Sequence, residues 1–93
     1  MDTRTNDQQV KVRDGAAVWR TIDDETVLLV LDSSLYLGLN ETGTVLWPRM
    51  VTGTSKRELV DELTANFDID ADQAAHDVDR FIEMCREHEL LES

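Results

Sequence analysis

The segment Val27–Val51, VLLVLDSSLYLGLNETGTVLWPRMV, contains the change of period that decides the fold. It begins with two apolar runs, 27–31 and 35–39, which a short polar connection joins. This spacing predicts a β-hairpin. From Asn40 onward the apolar residues recur at helical spacing, and Asn40 is a suitable N-cap for a helix that begins at Glu41. The segment therefore predicts a hairpin that passes directly into a helix.

Strand signals continue upstream of the hairpin. Residues 10–12 alternate in polarity, and Asp14-Gly15 is typical of a turn. As a strand, residues 16–22 place Val18, Arg20 and Ile22 on one side and Trp19 and Thr21 on the other. The run at 27–31 is apolar throughout, which predicts that both of its faces are covered. In the run at 35–39 the three leucines are expected to face the core.

Helical signals fill the rest of the chain. Pro48 is expected to kink or shorten the first helix, because proline has no amide hydrogen to bond back along the helix, and Gly53 is expected to end it. Two capping boxes, Ser55–Glu58 and Asp70–Gln73, each predict a further helix. The inner face of the last helix is predicted to be Ala74, Ala75, Val78, Phe81, Ile82 and Cys85. The fold class is therefore α+β, with an N-terminal three- or four-stranded antiparallel sheet followed by three helices.

Composition excludes several classes of protein. The chain has 93 residues and a formal net charge of −11, so we expect a single domain over residues 10–93 with residues 1–9 as a flexible arm. The acidity argues against a nucleic-acid partner, and no apolar run is long enough to span a membrane. A single cysteine excludes an intrachain disulfide and favours a cytoplasmic location.

The sequence contains no recognisable catalytic motif. Cys85 lies on an apolar helical face and is predicted to be a buried hydrophobic side chain. The two histidines, His76 and His88, are three helical turns apart, and no metal, nucleotide or nucleophile motif is present. We predict no catalytic residues, no metal and no cofactor, and hence no enzyme activity.

One stretch resembles a known family. Residues 35–43, LYLGLNETG, with Trp47 resemble coenzyme PQQ synthesis protein D, whose members read "aromatic, two residues, Leu-Asn-x-x-Gly, three residues, Trp". Residues 59–63, 67–70, 77–82 and 89–91 are similar to its helical motifs and its terminal "GLL", so the resemblance covers about residues 18–91. The chain departs from the pattern at Pro48, where a helix former is usual, and at Glu89, where glycine is usual.

The resemblance implies a winged-helix-like recognition element that binds the leader of a ribosomally made precursor peptide. Such a domain presents the leader to a modifying enzyme or a leader peptidase. For this chain we expect a monomer or a weak homodimer. We favour the free-standing lasso-peptide type. The alternative is a chaperone for the radical-SAM enzyme of pyrroloquinoline quinone biosynthesis. A winged-helix DNA-binding regulator is opposed by the negative charge.

The resemblance also implies where the leader binds. It would add as a strand beside residues 35–39, which lack the charges and prolines that normally protect a sheet edge. A helical stripe at spacings of three and four residues would form the opposite wall. The predicted peptide-binding residues are Leu35, Tyr36, Leu37, Gly38, Leu39, Asp77, Arg80, Phe81 and Met84.

Several side chains have two interpretations. From composition the strand at 35–39 is an ordinary core strand, whereas the resemblance favours a peptide-receiving edge. Tyr36 either contacts the leader or covers the outer face of the sheet. Trp19 is either a core residue or an exposed docking residue, whereas Trp47 is predicted to be in the core. The acidic surface either steers a leader with basic segments or serves solubility alone.

Overall fold

The computed structural model describes residues 9–92 and confirms the α+β class. Residues 1–8 of the predicted arm lie outside the described residues, and Gln9 is part of the first strand. The elements in chain order are β1 (Gln9–Val10), β2 (Ala17–Ile22), β3 (Glu25–Val30), β4 (Leu35–Leu39), α1 (Glu41–Thr52), β5 (Thr54–Ser55), α2 (Lys56–Asn66) and α3 (Ala71–Glu87).

The strands form two separate antiparallel sheets. The larger has the order β2-β3-β4, and its register places Leu28 between Trp19 and Leu37. The smaller pairs β1 with β5, and an isolated bridge joins Val12 to Leu91. The main sheet therefore has three strands, and the predicted strand at 10–12 lies beside the chain's C-terminal end. The sequence did not predict β5, because a strand of two residues is too short to show alternation.

The hydrophobic core lies between one face of the main sheet and the helices. Its largest fully buried side chains are Leu28, Leu46, Trp47, Met50, Leu59, Leu63 and Leu90. The prediction that Trp47 belongs to the core is confirmed. Trp19 packs against it edge-to-face, with ring centroids 5.5 Å apart and an interplanar angle of 81°. Trp19 keeps 43% of its surface exposed, so it lies at the boundary of the core, on the edge strand β2.

One prediction about the hairpin was wrong, and a second, that the leucines of β4 face the core, is confirmed for Leu37 and Leu39 but not for Leu35. The apolar run at 27–31 does not have both faces covered, since Val27 and Leu31 are exposed while Leu28 and Val30 are buried. The three leucines of β4 are also not equally buried, since Leu35 is exposed and only Leu39 is buried. The reason is that the helices cover one face of the sheet only, and α1 follows directly on Leu39.

The helices begin at the predicted caps. The Gly43 amide donates to Asn40 Oδ1 at 3.0 Å, the Glu58 amide to Ser55 Oγ at 3.2 Å, and the Gln73 amide to Asp70 Oδ1 at 2.8 Å. Each cap satisfies an amide that has no partner within its helix. Helix α1 continues through Pro48 to Thr52, so the proline does not shorten it.

Helix α3 ends in a Schellman motif with Glu89 at its left-handed position. Glu89 has φ of 56°, its amide donates to the Arg86 carbonyl at 3.0 Å, and the Leu90 amide donates to the Cys85 carbonyl at 2.9 Å. Glycine normally occupies this position, because a Cβ atom strains the left-handed conformation. The turn keeps this geometry with a glutamate in the strained position.

We therefore expect Glu89→Gly to stabilise the protein. Relief of the left-handed strain should raise the free energy of unfolding by about 0.5–1 kcal/mol and the Tm by roughly 2–8 °C, measured by thermal and urea unfolding. The matched control is Glu83→Gly inside α3, which should lower the free energy of unfolding by about 1 kcal/mol. A decrease in Tm for Glu89→Gly would contradict the assignment of strain to this turn.

Candidate functional site

A groove of about 400 Å³ separates the end of β4 from α3. Three elements line it. They are β4 through Gly38 and Leu39, the start of α1 through Asn40, Thr42 and Gly43, and α3 through Asp77, Arg80, Phe81 and Met84. The groove is open along its length, so it suits an extended chain better than a small compact ligand.

One wall of the groove is a free sheet edge. β4 is the last strand in the sheet order, and none of the described residues forms a strand beyond it. The Leu31 amide donates to the Ala16 carbonyl at 3.0 Å, just outside the Ala17–Val30 pair. Ala16 and Leu31 therefore form a hydrogen-bonded pair, and the adjacent Ala17–Val30 pair is non-hydrogen-bonded. Because the two kinds of pair alternate along an antiparallel ladder, this assignment fixes the direction of every main-chain group in β3 and β4.

The main-chain amide and carbonyl groups of Leu28 and Val30 therefore point toward β4. The residues of β4 that form hydrogen bonds with β3 are Leu35, Leu37 and Leu39. The main-chain groups of Tyr36 and Gly38 point instead toward the free edge. These two residues thus offer the amide and carbonyl groups that an added strand would pair with.

The opposite wall is a mixed stripe on α3. Phe81 and Met84 are partly buried and pack against the core, leaving part of each side chain in the groove. Asp77 and Arg80 bring one negative and one positive charge to the same wall, and Asp77 Oδ1 accepts a hydrogen bond from Gln73 Nε2 at 2.9 Å. The groove is nearly balanced in charge although the chain as a whole is strongly acidic.

Gly43 permits the close approach of α1 that forms the floor of the groove. A Cβ atom on Gly43 would lie 3.0 Å from Leu39 Cβ and 3.0 Å from Phe81 Cε1. A side chain there would require Leu39 and Phe81 to shift. The glycine of the Leu-Asn-x-x-Gly motif is therefore a packing requirement.

The structure brings six of the nine predicted peptide-binding residues to the groove: Gly38, Leu39, Asp77, Arg80, Phe81 and Met84. Leu35, Tyr36 and Leu37 lie further along β4, outside the groove lining. Sequence reasoning missed Thr42 and Gly43, and it treated Asn40 as a cap alone, whereas Asn40 both caps α1 and lines the groove. The motif spacing from Leu39 to Gly43 was the signal that pointed to this helix start.

Other candidate features lie away from the groove. His88 lines a separate cavity of about 240 Å³ with Asp32 and Glu87. Over residues 9–92, no cluster of three or more His, Cys, Asp or Glu side chains is arranged to hold a metal ion. In the same part of the chain, no helix has the length and apolar character needed to cross a membrane.

Cys85 is buried on the inner face of α3, as predicted. Burial disfavours the thiolate and raises the pKa of the Cys85 thiol from 9.0 to about 12. The folded protein therefore keeps this proton at a pH where the unfolded chain has lost it. The contribution of Cys85 to the free energy of unfolding is therefore retained below pH 9 and is lost as the pH rises from 9 toward 12.

We expect Cys85→Ala to reduce this alkaline loss of stability. Between pH 8 and pH 10 the unmodified chain should lose about 1.4 kcal/mol more than the variant does, measured as the change in the free energy of urea unfolding. The comparison cancels other groups that titrate in this range, because both proteins contain them. Equal losses in the two proteins would contradict the burial of a protonated thiol.

Comparison with known proteins agrees with the resemblance seen in the sequence. Residues 25–91 match the family described as "Coenzyme PQQ synthesis protein D (PqqD)". A solved structure described as "TbiB1 in Complex with the TbiA(beta) Leader Peptide" is 34% identical, with a TM-score of 0.81 over 90% of this chain and 96% of that chain. No curated protein gives a significant match.

The family match covers most of the chain, and the solved relative shares its fold over nearly the full length of both proteins. The resemblance drawn from the hairpin-to-helix motif is confirmed. This chain belongs to the coenzyme PQQ synthesis protein D family.

Proposed function

We propose that this chain binds the leader segment of a ribosomally synthesised precursor peptide by strand addition at β4. The observation that carries the proposal is the free edge of β4 facing the α3 stripe across an open groove. TbiB1, which is 34% identical to this chain, has been solved in complex with a leader peptide. Both observations favour an extended peptide as the ligand.

In the proposed complex the main-chain groups of Tyr36 and Gly38 pair with the leader. These bonds supply affinity that does not depend on the leader's sequence. Side chains on one side of the leader would enter the groove and contact Phe81 and Met84, whose apolar surfaces adapt to different shapes. Asp77 and Arg80 would pair with charged leader side chains and so contribute selectivity.

The proposed role is non-catalytic and cytoplasmic. The chain captures the leader and raises the effective concentration of the precursor at a modifying enzyme or leader peptidase. We favour lasso-peptide biosynthesis, which the similarity to a leader-binding relative over nearly its whole length supports. The second candidate is the pyrroloquinoline quinone pathway, which the description of the matched family favours.

A titration tests the proposal. A fluorescently labelled synthetic leader, taken from the precursor encoded beside this chain, should bind at micromolar concentration, and amide NMR shifts should concentrate on β4 and α3. Absence of binding, or shifts confined to other elements, would overturn the proposal. The leader that binds also separates the two pathways, since each pathway has its own precursor.

The salt dependence of the same titration tests the acidic surface. The chain carries a net charge of −11, so we expect the affinity for a leader with basic segments to fall as the salt concentration rises from 0.05 to roughly 0.5 M. A neutral leader of the same length is the control. An equal affinity at all salt concentrations would show that the acidic surface does not attract the leader, and its role would then be solubility alone.

A further inference from the structure

The outer face of the main sheet, opposite the helices, is mainly apolar and uncovered by any described residue, and Arg20 adds one positive charge to it. We define it as the side chains of Val18, Arg20, Ile22, Val27, Leu29 and Tyr36, which the register places on one side of β2, β3 and β4. Val18 is 53% exposed, Ile22 60%, Val27 47% and Tyr36 70%. An exposed apolar surface that spans three strands is typical of an interaction site.

The outer face is continuous with the proposed leader edge. Tyr36 and Gly38 direct their main-chain groups to the free edge of β4 and lie on the outer face of the same strand. A leader strand added there would extend the outer face by one strand, and alternate leader residues would lie on it. An occupant of the outer face would then contact the domain and the leader together.

Charge indicates what kind of protein occupies this face. Three exposed acids lie at one end of the outer face: Asp23 and Asp24 in the turn between β2 and β3, and Glu25 at the start of β3. They outweigh the single positive charge of Arg20 on this face. A second copy of this chain would bring another −11 charge to the contact, which opposes self-association. An apolar surface rimmed by lysine or arginine is complementary to this face.

We propose that the outer face is the docking surface for the enzyme that acts on the captured peptide. The partner is a protein with an apolar patch and a cationic rim, and it recognises the domain and the bound leader as one surface. The proposal rests on the proposed leader-binding function. It assigns leader capture to the edge of β4 and enzyme recruitment to the outer face.

The test uses Val27→Lys, which places a charge in the middle of the outer face, on the strand next to β4 and opposite Gly38. The control is Ala65→Lys, which adds the same charge at an exposed position on α2. The probe is the purified leader peptidase or modifying enzyme encoded in the same gene cluster. Its binding to the full chain is measured by titration with and without saturating leader, beside the affinity of each variant for the leader.

We expect Val27→Lys to weaken enzyme binding at least tenfold and to leave leader affinity within about twofold of the unmodified chain. Ala65→Lys should leave both unchanged, and saturating leader should strengthen enzyme binding to the unmodified chain. Equal enzyme binding by Val27→Lys and the unmodified chain would overturn the proposal. A dimer of the unmodified chain in sedimentation that Val27→Lys abolishes would assign the face to a second copy and also overturn it.

These outcomes are distinct from failure of the proposed function. If the unmodified chain does not bind the leader, leader capture itself is wrong. If it binds the leader while Val27→Lys leaves enzyme binding unchanged, only the assignment of the outer face is wrong.

Discussion

Substitution of Gly38 by proline should abolish most of the affinity for the leader and leave the domain folded. The Gly38 amide points to the free edge of β4 and is not used within the sheet, so the fold does not lose a hydrogen bond. An added strand would lose that donor and would meet the proline ring in its path. We expect binding to weaken by about 2 kcal/mol or more, which is roughly 30-fold in affinity.

The control for this prediction is Gly38→Ala at the same position. No atom lies within 4 Å of a Cβ placed on Gly38, and its φ is outside the left-handed region. Alanine should therefore keep both the fold and the affinity, measured by circular dichroism and by titration with labelled leader. A folded Gly38→Pro variant with unchanged affinity would exclude strand addition at this edge.

Substitution of Trp47 by alanine should have the largest effect on stability. The side chain is fully buried, and its removal leaves a large cavity between the main sheet and the helices. We expect the free energy of unfolding to fall by about 3–5 kcal/mol. Domains of this size are stable by only about 5–15 kcal/mol, so much of the variant should unfold at low urea concentration.

Two further variants test the reason for this loss. Trp19→Ala removes the other half of the edge-to-face pair but deletes a side chain that is partly exposed, so about 1–2 kcal/mol should be lost. Trp47→Phe keeps an aromatic ring and removes an indole N–H that is buried with no partner among residues 9–92, so its loss should be smaller than that of Trp47→Ala. If Trp19→Ala costs as much as Trp47→Ala, the core is centred on Trp19 instead.

The candidate site shows how far sequence patterns reach. Helical spacing predicted that Asp77, Arg80, Phe81 and Met84 share a stripe, and the family resemblance pointed to that stripe as the wall. The structure places all four on one wall of the groove. The contribution of Gly43 did not follow from spacing, because it depends on how closely α1 approaches Leu39 and Phe81. Contacts between elements distant in sequence are set by packing, which periodicity does not report.

The strands also show the difference between features that local sequence predicts and features that depend on long-range contacts. The strand signal of β2 and the hairpin of β3 and β4 are local, and the sequence predicted both. The position of residues 10–12 is a long-range result, since the Val12 amide bonds to the Met50 carbonyl and the Arg13 amide to the Leu90 carbonyl. No local pattern in a short strand indicates which distant segment it will join.

The sequence by itself determined the order of the main-sheet strands and the three helices, the three N-caps, the burial of Trp47 and Cys85, and the family, because each rests on short local patterns and their order along the chain. Only the tertiary structure decided which face of the hairpin stays open, that Tyr36 and Gly38 rather than the leucines of β4 offer their main-chain groups, and that α1 forms the groove floor. These features depend on which surfaces the helices cover and on which residues of each strand form hydrogen bonds with which neighbouring strand. Neither is a property of any single segment, so both appear only when the segments pack together.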